Sequence, residues 1–112
     1  MKLMIAGSRS IKSFDISRYI PEGVDLIISG GASGVDTLAE EYADKNRISK
    51  LILRPKYNLY RKAAPLKRNV EMIEVSDFVL IFWDGKSTGT EHTIKMSKKM
   101  NKKLEVINVT VM

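Results

Sequence analysis

Residues 26–42, LIISGGASGVDTLAEEY, decide the fold. A short apolar run, a turn built of glycine and serine, and an amphipathic stretch follow one another without a break. Val35, Leu38, Ala39, Tyr42 and Ala43 fall at i, i+3, i+4, i+7 and i+8, one face of a helix. Asp36, Glu40, Glu41, Asp44 and Lys45 take the opposite face. A strand that runs through a small-residue turn into a helix is the first half of a βαβ unit.

The same alternation extends in both directions. Strands are expected at KLMIAG (2–7), VDLIISG (24–30), KLILR (50–54), DFVLIFWD (77–84) and KLEVINV (103–109). A short helix is expected around SFDISRYI (13–20), stopped by Pro21. Pro65 suits the first turn of a third helix ending near Val75, where its missing N–H has no partner to lose. A last helix is expected from about Gly89 to Asn101, and PKYNLYRK (55–62) reads as the longest irregular stretch. Strands of continuous apolar character joined by helices imply a parallel sheet covered on both faces. Right-handed crossovers then give an α/β, Rossmann-like three-layer sandwich with a five-stranded parallel sheet in the order 3-2-1-4-5, formed by one domain over 1–112.

The 112 residues suffice for one core, and 44% apolar with 29% charged residues is ordinary for a globular chain. With no cysteine, disulfides, a thiolate nucleophile and a thiolate metal site are excluded, and His92 is the lone histidine. No metal and no cofactor are expected. The apolar run in MKLMIAGSRS is too short for a signal peptide or a membrane span, so a cytoplasmic protein without membrane contact is expected. The net charge of +6, from 19 Lys and Arg against 13 Asp and Glu, favours anionic partners. Lys95, Lys98, Lys99, Lys102 and Lys103 share an arc of roughly 140° if the segment is helical, with Met96 and Met100 opposite. That arc reads either as a solvated face or as a nucleic-acid contact.

In a doubly wound sheet, ligands bind beyond the carboxyl ends of the strands, where the strand order reverses. Three loops meet there: GSRS (7–10), SGGASG (29–34) and WDGKSTGTEH (83–92), with six of the seven glycines. Each has a purely local reading. Ser33 with Asp36, and Thr88 with Glu91, have the spacing of capping boxes. Taken together, the glycine-rich helix starts offer unpaired N–H groups and a positive helix end to a phosphate. Neither loop is a P-loop, and GGASG lacks the GxGxxG spacing of dinucleotide-binding turns. Candidate ligand contacts are Gly7, Ser8 and Arg9 in the first loop, and Gly30, Gly31, Ala32, Ser33, Gly34 and Asp36 in the second. The third contributes Trp83, Asp84, Gly85, Ser87, Thr88, Gly89 and Thr90, and the third helix adds Arg68 and Asn69. Trp83 is either core or a stacking surface for a base, and Tyr57 with Tyr60 reads as a lid.

GSR after the first strand, SGGASGVDTLAEEYA, AAPLKRNVEMIEVSD and FWDGKSTGTEHTI, in that order, resemble the SLOG superfamily, and in particular its compact YspA-like branch. The superfamily includes the LOG phosphoribohydrolases and the Rossmann-like domain of the DNA-processing protein DprA. The resemblance implies a nucleotide or nucleotide-derived ligand, ADP-ribose-like or a nucleoside phosphate, held at the glycine-rich edge by a sensor or sequestering protein. It also implies links to nucleotide signalling and phage defence. LOG enzymes cleave the N-glycosidic bond of nucleoside monophosphates with a glutamate in PGGxGTxxE. Gly89 and Thr90 match the GT pair here, whereas Thr93 stands at the glutamate position and the proline is absent. An N-glycosidase would have to use Asp84 or Glu91 in another geometry. A DprA-like single-stranded nucleic-acid binder is the third expectation, and a homo-oligomer is expected for any of them.

Overall fold

A computed structural model describes residues 1–111. Five strands, β1 (Lys2–Gly7), β2 (Leu26–Ser29), β3 (Ser49–Ile52), β4 (Phe78–Trp83) and β5 (Lys103–Asn108), form one sheet. Every pairing is parallel and the order is 3-2-1-4-5, as the alternation of elements predicts. Helices α1 (Val35–Lys45), α2 (Tyr57–Tyr60), α3 (Ala64–Val75) and α4 (Thr88–Lys99) complete the frame. Among the described residues, no helix is long and apolar enough to cross a membrane.

The unbroken apolar strands make sense once both faces of the sheet are covered. Leu3 and Ile5 of β1, with Phe78, Leu80 and Phe82 of β4, point to the face where α1 lays Val35, Ala39 and Ala43. Met4, Val79, Ile81 and Ile28 point to the other face, against Met72 and Ile73 of α3 and Ile94 of α4. Two alanines in the α1 stripe, both fully buried, let that helix lie close on the sheet. Each fully buried aliphatic side chain here stabilises the fold by about 1.5–3 kcal/mol relative to exposure. β3 is an edge strand and mostly exposed, which explains its short apolar run.

Several boundaries differ from expectation. Residues 13–20 form no α-helix but a 3-10 turn, Ile16–Tyr19, capped by Asp15 accepting from the Ser17 amide at 3.1 Å. Residues 55–62 are mainly helical: α2 is followed by a 3-10 turn, Arg61–Ala63, that runs directly into α3. None of their residues is buried, so no apolar stripe marks them in the sequence. α4 stops at Lys99 because Asn101 turns left-handed at φ 56°, which puts Lys102 and Lys103 off the helix. Lys102 instead donates to the carbonyls of Glu74 (3.2 Å) and Ser76 (2.6 Å) at the end of α3, and Lys103 lies 4.9 Å from the Phe78 ring centre. The single lysine face expected over 95–103 is therefore divided between three tasks.

Candidate functional site

The carboxyl edge is assembled around Ser8. Its amide donates to the Phe82 carbonyl of β4 at 3.0 Å, and its own carbonyl accepts from Ile11 (3.2 Å) and from Val35 at the start of α1 (3.5 Å). Its hydroxyl accepts from the Asp84 amide at 3.0 Å and lies 3.5 Å from the Thr90 hydroxyl. Ser8 is fully buried and ties the three loops together, so it braces the site rather than meeting a ligand. The chain packs so tightly here that side chains are excluded. A Cβ on Gly34, which has φ 78°, would stand 2.6 Å from the carbonyls of Ser8 and Arg9.

Gly34 also changes how α1 begins. It occupies the cap position itself, leaving Ser33 exposed and the expected Ser33–Asp36 box unformed. The Asp36 carboxylate accepts instead from the Ala32 amide at 3.0 Å, closing the loop on itself. Asp36 is only 7% exposed, and burial pushes its pKa up to about 6 against the Ala32 N–H and the nearby Arg68 and Arg9, which pull it down. The rest of the loop is clamped through its carbonyls. Arg68 of α3 donates to Gly30 (2.8 Å) and to Leu53 (3.3 Å), and Arg54 donates to Gly31 (3.1 Å). Arg68 is half-buried and its Nε donates to Asn69 Oδ1 at 2.8 Å, while Asn69 donates to Thr93 at 3.3 Å. Burial lowers the Arg68 pKa, yet a guanidinium stays charged at any physiological pH.

In the third loop Asp84 organises the turn. One carboxylate oxygen accepts from the Lys86 and Ser87 amides, both at 2.8 Å, and the other accepts from the Ser10 hydroxyl at 2.6 Å. The Ser10 and backbone donors hold its carboxyl well below the usual carboxylate range. The cap of α4 is Ser87, not Thr88: its hydroxyl accepts from the Thr90 amide at 3.3 Å and from the Thr90 hydroxyl at 3.0 Å. Glu91 lies one residue too far to close a box on Ser87 and pairs with Lys95 at 2.9 Å. Trp83 donates to the Ser87 carbonyl at 3.0 Å while its partly buried ring packs on the α3–α4 side of the core. The amides of Thr88 and Gly89, at the positive end of α4, have no acceptor among the described residues.

These loops surround a cavity of about 460 Å³, within the range of small-molecule sites. It brings together Gly7, Arg9, Ala32, Asp36, Arg68, Asn69, Asp84, Ser87, Gly89 and Thr90 of the expected contacts. Ser8, Gly30 and Gly34 are buried and do not line it, nor do Gly31, Ser33, Gly85, Thr88, Trp83 and Glu91. The phosphate seat expected on the amides of residues 30–34 is partly taken, because Gly31 donates to the Ser29 hydroxyl (3.3 Å) and Ala32 to Asp36. Likewise Ser87 and Thr90 amides are already bonded, which leaves Thr88 and Gly89 at the α4 end.

Sequence reasoning missed Ala6, Ser10, Pro65, Met72 and Thr93 in the wall, and Arg54 beside it. Ser10 lies one residue beyond Arg9 and was open to the same argument, whereas nothing local distinguishes Thr93 from any polar helical residue. Among the described residues, no group of three or more His, Asp or Glu is gathered as a metal site would require. No family model, curated protein or solved structure matches this chain.

Proposed function

We propose that this protein binds a nucleotide or nucleotide-derived phosphorylated molecule, an ADP-ribose-like compound or a nucleoside phosphate, in the cavity at the carboxyl edge of the sheet. The observation that carries this reading is the convergence of two guanidinium groups, Arg9 and Arg68, with the start of α4 on one cavity at the reversal of strand order. Arg9 makes no hydrogen bond or ion pair among the described residues, and the amides of Thr88 and Gly89 are likewise free. Free donors and a positive helix end suit a phosphate. The carboxylates of Asp36 and Asp84 and the amide of Asn69 supply acceptors for ribose hydroxyls. A sensor or sequestering protein of the compact YspA-like kind needs only this. Isothermal titration with AMP, ADP-ribose and cyclic ADP-ribose isomers tests the reading; binding that weakens in Arg9→Ala supports it, and no heat with any of them ends it.

A second reading, nucleotide N-glycosidase, draws support from the two carboxylates. Burial raises Asp36 while hydrogen bonds depress Asp84, and such a split suits one group to donate a proton and the other to stay ionised. Glu91, the other carboxylate expected from the sequence, pairs with Lys95 and does not line the cavity. Free base released from nucleoside monophosphates, and abolished in Asp36→Asn, would favour this reading over simple binding. A single-stranded nucleic-acid reading would rest on Lys95, Lys98 and Lys99, since Lys102 and Lys103 lie off the helical face.

A further inference from the structure

The cavity offers groups for a phosphate and a sugar but no aromatic ring, its bulkiest apolar walls being Pro65 and Met72. A nucleobase seated there has nothing to stack on. Trp83 does not line the cavity: its partly buried ring packs against the core and its N–H is held by the Ser87 carbonyl. Exposed aromatic surface stands on the segment that leads into the cavity's α3 wall. Tyr57 is 58% exposed, Leu59 64% and Tyr60 39%, all on α2. Through the turn at 61–63, α2 leads directly to the start of α3, whose Pro65, Arg68 and Asn69 form one wall of the cavity.

Residues 57–63 are loosely held. No residue of α2 or the following turn is buried, and the α2 backbone bonds are local, Leu59 and Tyr60 both donating to Lys56 at 3.0 Å. Segments held so weakly open at little cost. At the join, Arg61 adopts φ 50°, ψ −121°, a conformation suited to glycine and strained for a branched-off side chain. Rotation there redirects α2 as a unit. The two tyrosines are not equivalent. Tyr60 lines a small cleft with Arg54, Lys56, Glu71 and the outer side of Arg68, and Lys67 Nζ lies 5.6 Å from its ring centre. Tyr57 lines neither that cleft nor the cavity and is the more exposed of the two rings, 58% against 39%.

Resting on the nucleotide-binding reading, we propose that residues 57–63 close over the cavity about Arg61 and lay the Tyr57 ring on the base of the bound nucleotide. The strap then supplies the base subsite, and the fixed cavity supplies the phosphate and sugar subsites. Closure also buries apolar surface of Tyr57 and Leu59 that the open form leaves in water.

Titration of the full chain with AMP and ADP-ribose, against ribose 5-phosphate as the base-free probe, tests the strap. Tyr57→Ala is expected to weaken AMP and ADP-ribose by roughly 5- to 150-fold, the worth of one stacked base, and to leave ribose 5-phosphate unchanged. Tyr57→Phe, which keeps the ring, is expected to bind all three as the wild type does. A Tyr57→Ala protein that binds AMP and ADP-ribose as tightly as wild type, or loses ribose 5-phosphate equally, overturns the strap alone. Wild type that binds neither nucleotide ends the nucleotide reading, and the strap falls with it.

Discussion

Replacing Asp36 by asparagine is expected to stabilise the protein at neutral pH and to leave it nearly unchanged in acid. The carboxyl group is 7% exposed and its pKa rises from the ordinary 3.8 to about 6, chiefly by burial. A raised carboxyl pKa means that the folded state holds its proton more tightly than the unfolded chain. Between pH 4 and 6 the unfolded chain therefore binds fewer protons, and stability falls as pH rises. The loss is complete above about pH 6, where both states are ionised and the folded one retains a desolvated charge. Moving from 3.8 to about 6 corresponds to about 3 kcal/mol at 1.36 kcal/mol per tenfold change. Asparagine keeps an oxygen that accepts from the Ala32 amide, now at 3.0 Å, and has no charge to desolvate. The advantage of Asp36→Asn should thus grow from under about 1 kcal/mol at pH 4 to about 3 kcal/mol at pH 7. Urea denaturation of both proteins at half-unit pH steps measures it. Working with the difference matters, because Asp15, Asp77 and Asp84 are depressed and make the wild type lose stability in acid for their own reasons. An advantage that stays constant from pH 4 to 8, or a variant less stable than wild type at pH 7, would refute the claim that burial dominates at Asp36.

Two glycines should respond in opposite ways. Gly34→Ala places a methyl 2.6 Å from two backbone carbonyls at φ 78°, and should destabilise by at least about 2 kcal/mol in chemical denaturation. Gly89→Ala meets nothing within 4 Å, so it should raise stability by about 0.5–1 kcal/mol through helix propensity. The same methyl enters the cavity at the free α4 amides, so AMP binding should weaken, and unchanged binding would place the phosphate elsewhere. Asp84→Asn should speed hydrogen exchange at the Lys86 and Ser87 amides, both now bonded to its carboxylate at 2.8 Å, with the amides of β4 protected as before. Equal exchange at those two amides in both proteins would remove Asp84 as the organiser of the loop.

How far the sequence reached differs from element to element. β1 and β4 announced themselves because both faces of a central parallel strand are buried, so consecutive residues such as Leu3 and Met4 are both apolar. α1 was legible from its stripe, since Val35, Ala39 and Ala43 all meet the sheet. α2 was not, because a helical turn with no buried residue carries no stripe. The clustering of glycines at one edge was legible as well, since strand order fixes which loops are neighbours. Within that edge the roles were not. Ser8 looked like a ligand contact and is a buried brace, and Thr88 looked like a cap where Ser87 is one.

Periodicity, turn residues and strand length are local properties, and with the handedness of crossovers they point to five strands, their order, and the edge where the glycine-rich loops meet. Which amide a carboxylate takes, and whether it keeps its proton, was decided only in the tertiary structure. Ser8 meets Asp84 across 76 residues and Arg68 meets Gly30 across 38. The burial that raises Asp36 depends on those distant groups closing around it. Hydrophobic pattern is written along the chain, whereas desolvation and hydrogen-bond competition depend on everything that surrounds a group once the chain has folded.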